Sequence, residues 1–195
     1  MDDEDDEPLF LTLPPGDTSL VGQIMEGRDL IMARLAGVDM TGVDLYWASL
    51  RDAVLEGAIL RDGDFRGASF KGANLRGADL RGANLSLDNL GGPTRFHDAD
   101  LTGADLRGAR IGGAHFIGAK LVGADLRGAM GKSIFADRPT RFDRADLTDA
   151  KLGGAELTGC VFDDATHFPR AFDPREAGLI HASETGVKPR KRMKN

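Results

Sequence analysis

The chain has 195 residues, 41% of them hydrophobic and 29% charged, with a formal net charge of −6; this predicts one soluble domain with tails and excludes a pair of large domains. One Trp, one Tyr and one Cys against 26 Gly exclude a large aromatic core, an internal disulfide and a cysteine-built zinc site, so a cytoplasmic setting is expected. The charge is segregated: the first seven residues carry −6, the last eight +5 and the remainder −5.

The acidic opening from Asp2 to Glu7 is the reverse of the basic start of a secretion signal. No apolar run approaches the length that crosses a membrane, so neither targeting nor insertion is expected. Both charged ends read as solvated tails. Leu9-Phe10-Leu11-Thr12-Leu13, before Pro14-Pro15, is a candidate cap for whatever follows.

From there a repeat dominates. Residues 68–85 read ASFKG-ANLRG-ADLRG-ANL and residues 99–126 read ADLTG-ADLRG-ARIGG-AHFIG-AKLVG-ADL: small, polar, Leu or Phe, any, Gly. The apolar centres run in one register from Leu20 to Leu90, in a second from Phe96 to Leu126 and in a third from Phe142 to Phe162, each displaced from the last by one residue. A period of five suits neither a helix nor a long strand, and a glycine every five residues would cost a helix about 1 kcal/mol each time. It suits a very short extended segment whose small residue and Leu or Phe, two apart, share the inward face, followed by a turn. The glycine then sits third in a four-residue turn, where type II geometry needs positive φ. Repetition coils the chain into a solenoid with Leu stacked on Leu and Ala on Ala.

The units GADLRG, GANLRG and GADLTG resemble those of the pentapeptide-repeat proteins over roughly residues 17–168. The resemblance implies an all-β fold, a right-handed quadrilateral parallel β-helix with four units per coil. The expected organisation is an acidic tail and N-terminal cap over 1–15, the β-helix over 16–168, a C-terminal cap over 169–187 and a basic tail over 188–195. Two phase slips, near Gly91-Gly92-Pro93 and between Met130 and Pro139, read as one-residue bulges at corners; Pro93-Thr94-Arg95-Phe96 is echoed by Pro139-Thr140-Arg141-Phe142, a sign of internal duplication. Asp173-Pro174-Arg175-Glu176 ahead of Leu179 and Ile180 predicts a short capping α-helix over Phe168 and Phe172.

No catalytic, cofactor or metal constellation is legible. The histidines, His97, His115, His167 and His181, lack metal-motif spacing, Cys160 takes an inward small-residue slot, and Gly131-Lys132-Ser133 lacks the first glycine of a phosphate loop. The chain is therefore read as no enzyme. If residues about 20 apart stack, Asp44, Asp64, Asn84, Asp105, Asp125 and Asp146 form one acidic column. A second acidic face carries Asp39, Asp79 and Asp100, with Asp163 and Asp164, and a basic one carries Arg51, Lys71, Arg110, Lys132 and Lys151. Arg66, Arg107 and Arg127, each two residues past such an aspartate, would offset the repulsion, and aspartates beside turns can also accept backbone N–H bonds.

The expected function is a non-enzymatic rod that binds another protein. The family includes quinolone-resistance proteins that protect DNA gyrase and topoisomerase IV by mimicking DNA, and the acidic faces, Asp44, Asp64, Asp105, Asp125 and Asp146 with Asp39, Asp79 and Asp100, are the candidate contact. Alanine at the small position, arginines among the acids and the lack of a long projecting loop depart from those members. The alternative is a structural protein that self-associates through its ends, as a homodimer through the C-terminal end. The acidity of the body argues against nucleic acid as its partner.

Overall fold

In a computed structural model, which describes residues 19–185, the chain winds into a β-helix of four flat sides. Each five-residue unit contributes one bridged residue to a side, and successive coils pair in parallel 20 residues apart, as in Ser19 with Asp39 and Asp39 with Ile59. We number the sides 1 to 4 from the units centred on Leu20, Met25, Leu30 and Leu35. At each corner the turn closes as the glycine period requires: Ala78 N donates to Leu75 O at 3.0 Å around Gly77, whose φ is +62°.

The inward positions are almost uniformly Leu, Phe or Ala and almost all fully buried. On side 3 the centres are Phe70, Phe96, Phe116 and Phe142, stacked face to face at 4.8, 4.9 and 5.3 Å and within 9° of parallel. This ladder follows from the rung spacing of about 4.8 Å, which lies inside the range that offset-stacked rings prefer. On side 2 the larger Phe65 takes the space that the small residue normally fills, and a Cβ on Gly63 would lie 2.6 Å from its ring. Cys160 fills an inward small slot beside Gly131, and burial pushes its thiol up to about 12.

The phase slips are not one-residue bulges. Ser69 pairs with Arg95 and His115 with Arg141, both 26 apart instead of 20, so each insertion is six residues long. A five-residue period conceals whole units, and only the remainder of one is visible in the phase. Both insertions leave the coil at the corner between sides 2 and 3, as loops 86–93 and 132–139, with the plain corner Gly112-Gly113 between them. A Cβ on Gly113 would meet the Leu87 side chain, and one on Gly112 would meet the Lys132 carbonyl at 2.6 Å, so the paired glycines make room for the loops.

The repeated Pro-Thr-Arg-Phe now has a physical reason. Where the chain re-enters the coil, threonine takes the inward small slot and its hydroxyl replaces the displaced rung neighbour. Thr94 Oγ1 accepts from Gly67 N at 3.1 Å and lies 2.9 Å from the Phe65 carbonyl; Thr140 Oγ1 accepts from Gly113 N at 2.7 Å and lies 2.6 Å from the Gly131 carbonyl. Thr166 does the same at a third slip, a true one-residue insertion where Asp146 pairs with His167, 21 away.

The predicted C-terminal α-helix does not form. Asp173 Oδ1 does cap the backbone N–H groups of Arg175 and Glu176, but Gly178 follows at φ +79° and ends the helix after a single turn. The chain then adds one more rung: β2 (Ile180–His181) pairs in parallel with β1 (Val161–Phe162), followed by a 3₁₀ turn over Ala182–Glu184. Phe168 and Phe172 do pack at this end, stepping from Phe162 at centroid distances of 5.5 and 5.3 Å. The apolar stretch from Leu9 to Leu13 and both charged tails lie outside the described residues.

Candidate functional site

The six-residue insertions move every later unit round by one side, which redistributes the candidate aspartates. Asp44 and Asp64 stack on side 2, but the residue beyond Asn84 there is Arg110, then Met130. Asp105 and Asp125 instead continue the side-1 column of Asp39, Ile59 and Asp79, which ends at Lys151. Asp146 stands on side 4 above Lys120 and Asp100. The single six-member acidic column is therefore corrected to three shorter groups, because each loop adds one unit that the phase does not display. The basic set is likewise dispersed, with Arg110 on side 2 and Lys151 on side 1.

These aspartates serve the coil first. Each of Asp39, Asp44, Asp64, Asp79, Asp100, Asp105, Asp125 and Asp146 accepts through Oδ1 from the backbone N–H two residues on, which pins the entrance of the following turn. On side 1 a column of arginines runs beside them. Arg81, Arg107 and Arg127 each fork onto the aspartate of their own rung, with closest contacts of 2.8, 2.6 and 2.6 Å. Arg61 reaches across one rung to Asp79 at 2.6 Å, and Arg81 and Arg107 approach the next aspartate at 3.6 and 3.9 Å. Asp125 is held at about 2, first by the Arg127 bond; Asp79 also lies at about 2, because the bonds from Arg81 and Arg61 outweigh its burial. Half-exposed pairs of this kind contribute about 0–1 kcal/mol each, but together they cancel the field that a bare acidic column would project. Arg61 and Arg81 were not singled out in the sequence, although their spacing of 20 was the available signal.

Side 3 carries a different feature. His115 stands between Arg95 and Arg141 in its column, with the His97 ring edge-on at 5.8 Å. Burial, then His97 and the two arginines, push it down to about 4. The unfolded chain takes up this proton near pH 6.5 and the folded chain does not until about pH 4. Stability is therefore complete above about pH 6.5 and falls between there and 4, by on the order of 1–2 kcal/mol at pH 5. Urea melts at pH 7 and 5 should show this loss, and His115→Gln should remove most of it. The carboxylates act in a separate window, since the contribution of Asp79 and Asp125 is lost only as pH falls from about 4 toward 2.

At the corner between sides 2 and 3 lies the group the sequence did not reveal. Trp47 is half exposed and holds φ +60° in a slot usually taken by glycine. Its ring stacks on Tyr46, and its Nε1 donates to Asp88 Oδ2 at 2.6 Å. Asp88 is buried, which raises its pKa, yet bonds from Gly92, Trp47 and Leu90 hold it below the ordinary carboxylate range. Tyr46 in turn carries the Arg66 guanidinium at 5.2 Å, and Arg66 reaches the loop at Asn89. The first loop is thus bolted to the second rung by an aromatic pair and one carboxylate.

Among the described residues no group of three or more His, Cys, Asp or Glu is arranged to hold a metal ion, and no helix is long and apolar enough to cross a membrane. The family described as Pentapeptide repeats matches in 8 copies, over residues 25–57, 48–86, 94–129 and 140–166. The chain belongs to the pentapeptide repeat family. Of solved pentapeptide repeat structures, full-length QnrB1, a plasmid-mediated fluoroquinolone resistance protein, has a TM-score of 0.52 at 17% identity, covering 81% of this chain and 91% of that one. This likeness makes the solenoid a right-handed β-helix. HetL, a pentapeptide repeat protein involved in heterocyst differentiation regulation from the cyanobacterium Nostoc, is 30% identical over 76% of this chain and 73% of that one, with a TM-score of 0.26. A pentapeptide repeat protein from the Arabidopsis thaliana thylakoid lumen is 33% identical over 59% and 74%, with a TM-score of 0.31. No curated protein sequence matches the chain.

Proposed function

We propose that this pentapeptide repeat protein is a non-enzymatic cytoplasmic scaffold that binds another protein along the outside of its rod. The observation that carries this reading is the division of the repeat: inward positions barely vary, while one outward column runs Ile24, Asp44, Asp64, Asn84, Arg110, Met130, Glu156. Selection for the coil alone has no use for that diversity, and extended surfaces are where solenoids recognise partners.

The partner to test first is DNA gyrase or topoisomerase IV, because the fold is shared with a fluoroquinolone resistance protein and the net charge is −6. The arginine column on side 1 weighs against broad DNA mimicry there and leaves Asp44 and Asp64 on side 2, and Asp100 and Asp146 on side 4, as the acidic contacts. Immobilised protein should bind purified gyrase in a salt-sensitive manner, and Asp44→Lys with Asp64→Lys should weaken binding about tenfold or more. No gyrase or topoisomerase IV binding at low salt would remove those partners.

The second reading is assembly through the C-terminal end. β2 is an edge strand and Ile180 is 39% exposed on it, which offers a further rung to another chain. Light scattering should then give a dimer mass that Ile180→Lys reduces to that of the monomer.

A further inference from the structure

The two corner loops display side chains that the coil does not need. Leu90 is 74% and Ile134 88% exposed, and Met130 and Phe135 are also open to solvent. They stand on a built platform: Arg138 donates to the Leu90 carbonyl at 2.8 Å and lies over the Phe135 ring at 5.7 Å, and Gly91 leaves the space that its guanidinium occupies. Hollows flank the loops, one of about 200 Å³ beside Met130 and Ile134, the other between Trp47, Leu90 and Arg138. Their rims are basic. Arg110 and Lys132 border the first and Arg95 the second, and none of the three has an ion-pair partner among the described residues.

Open apolar side chains ringed by unpaired cations select an occupant that is apolar and acidic within one short stretch. The chain carries such a stretch itself: six acids from Asp2 to Glu7, followed by Leu9, Phe10, Leu11 and Leu13. We propose that residues 2–13 dock on this corner of their own rod, the apolar residues against Leu90, Ile134 and Phe135 and the acids toward Arg95, Arg110 and Lys132. The tether is long enough. Ten residues from Leu9 to Ser19 reach about 33 Å when extended, and the first loop leaves side 2 three rungs past Met25, about 14 Å along the axis. A docked segment covers the apolar loops and competes with any ligand of the same acidic and apolar chemistry.

The test uses the full chain. Amide exchange over 86–93 and 132–139 is compared with that of a Leu9→Ser, Phe10→Ser, Leu11→Ser variant and of an Arg110→Glu, Lys132→Glu variant, each checked for an unchanged far-ultraviolet spectrum. Exchange in both loops should rise about tenfold in each variant, acrylamide should quench Trp47, the sole tryptophan, more strongly, and about 0.5 M salt should reproduce part of the effect. Unchanged loop exchange would overturn the proposal, as would a change confined to residues 19–30, which would make the segment an end cap. Loop protection that fades on dilution would overturn docking within one chain in favour of a second copy.

Discussion

Replacing Phe116 by alanine is expected to lower the unfolding free energy by about 3–5 kcal/mol, measured by urea denaturation at pH 7. The ring sits in the middle of the side-3 ladder, stacked on Phe96 at 4.9 Å and Phe142 at 5.3 Å, and is fully buried. Collapse cannot heal the cavity, because the rungs on either side are held by backbone bonds, His115 N to Thr94 O at 2.9 Å and Phe116 N to Arg141 O at 2.8 Å. The coil can neither shorten at one side nor bring the two remaining rings together. Phe116→Leu, which nearly fills the space, should cost less than about 1.5 kcal/mol. Phe162→Ala, at the end of the column where the ring is 9% exposed and packs edge-on against Phe168, should cost less than Phe116→Ala. Equal losses at both positions would show that the stack acts only through buried area and not through its place in the ladder.

That contrast also separates what the sequence made legible from what it concealed. The inward Leu, Phe and Ala columns follow from a period of five, since one unit carries its own two inward positions and its own turn. The stacking of unit on unit is a long-range matter: it depends on how many residues each corner consumes, and a repeat reports that number only up to whole units. Asp105 therefore reads as the neighbour of Asn84, whereas the fold sets it against Asp79 and Asp125. The Asp–Arg pairing within a rung, as at Asp105 and Arg107, was visible because it is local; the reach of Arg61 to Asp79 was not. Asp173 likewise announced a helix start correctly, but Gly178 leaves room for only one turn before the last rung. Trp47 lies 41 residues from Asp88, and no periodicity connects an aromatic in a turn to a carboxylate in a distant loop.

The corner loops depend on one buried hydroxyl each, so Thr140→Val, which keeps the shape and removes the oxygen, is expected to cost about 2–3 kcal/mol. Thr140 is 1% exposed, and its Oγ1 is the partner of the Gly113 N–H. Valine would leave that donor buried and unpaired, because the second loop has carried away the rung that would otherwise accept it. Thr140→Ser keeps the oxygen and loses only a methyl, so it should cost about 1 kcal/mol. The order wild type, Ser, Val in urea melts assigns the stabilisation to the hydroxyl, and the order wild type, Val, Ser would assign it to packing. Thr140→Val should also speed amide exchange at Gly113 and through residues 132–139, since the anchor that returns the loop to the coil is lost, while exchange at Thr94 and the first loop stays closer to that of the unmodified chain. Uniform acceleration over both loops would instead mean that the Arg138 contact to Leu90 couples them into one opening unit.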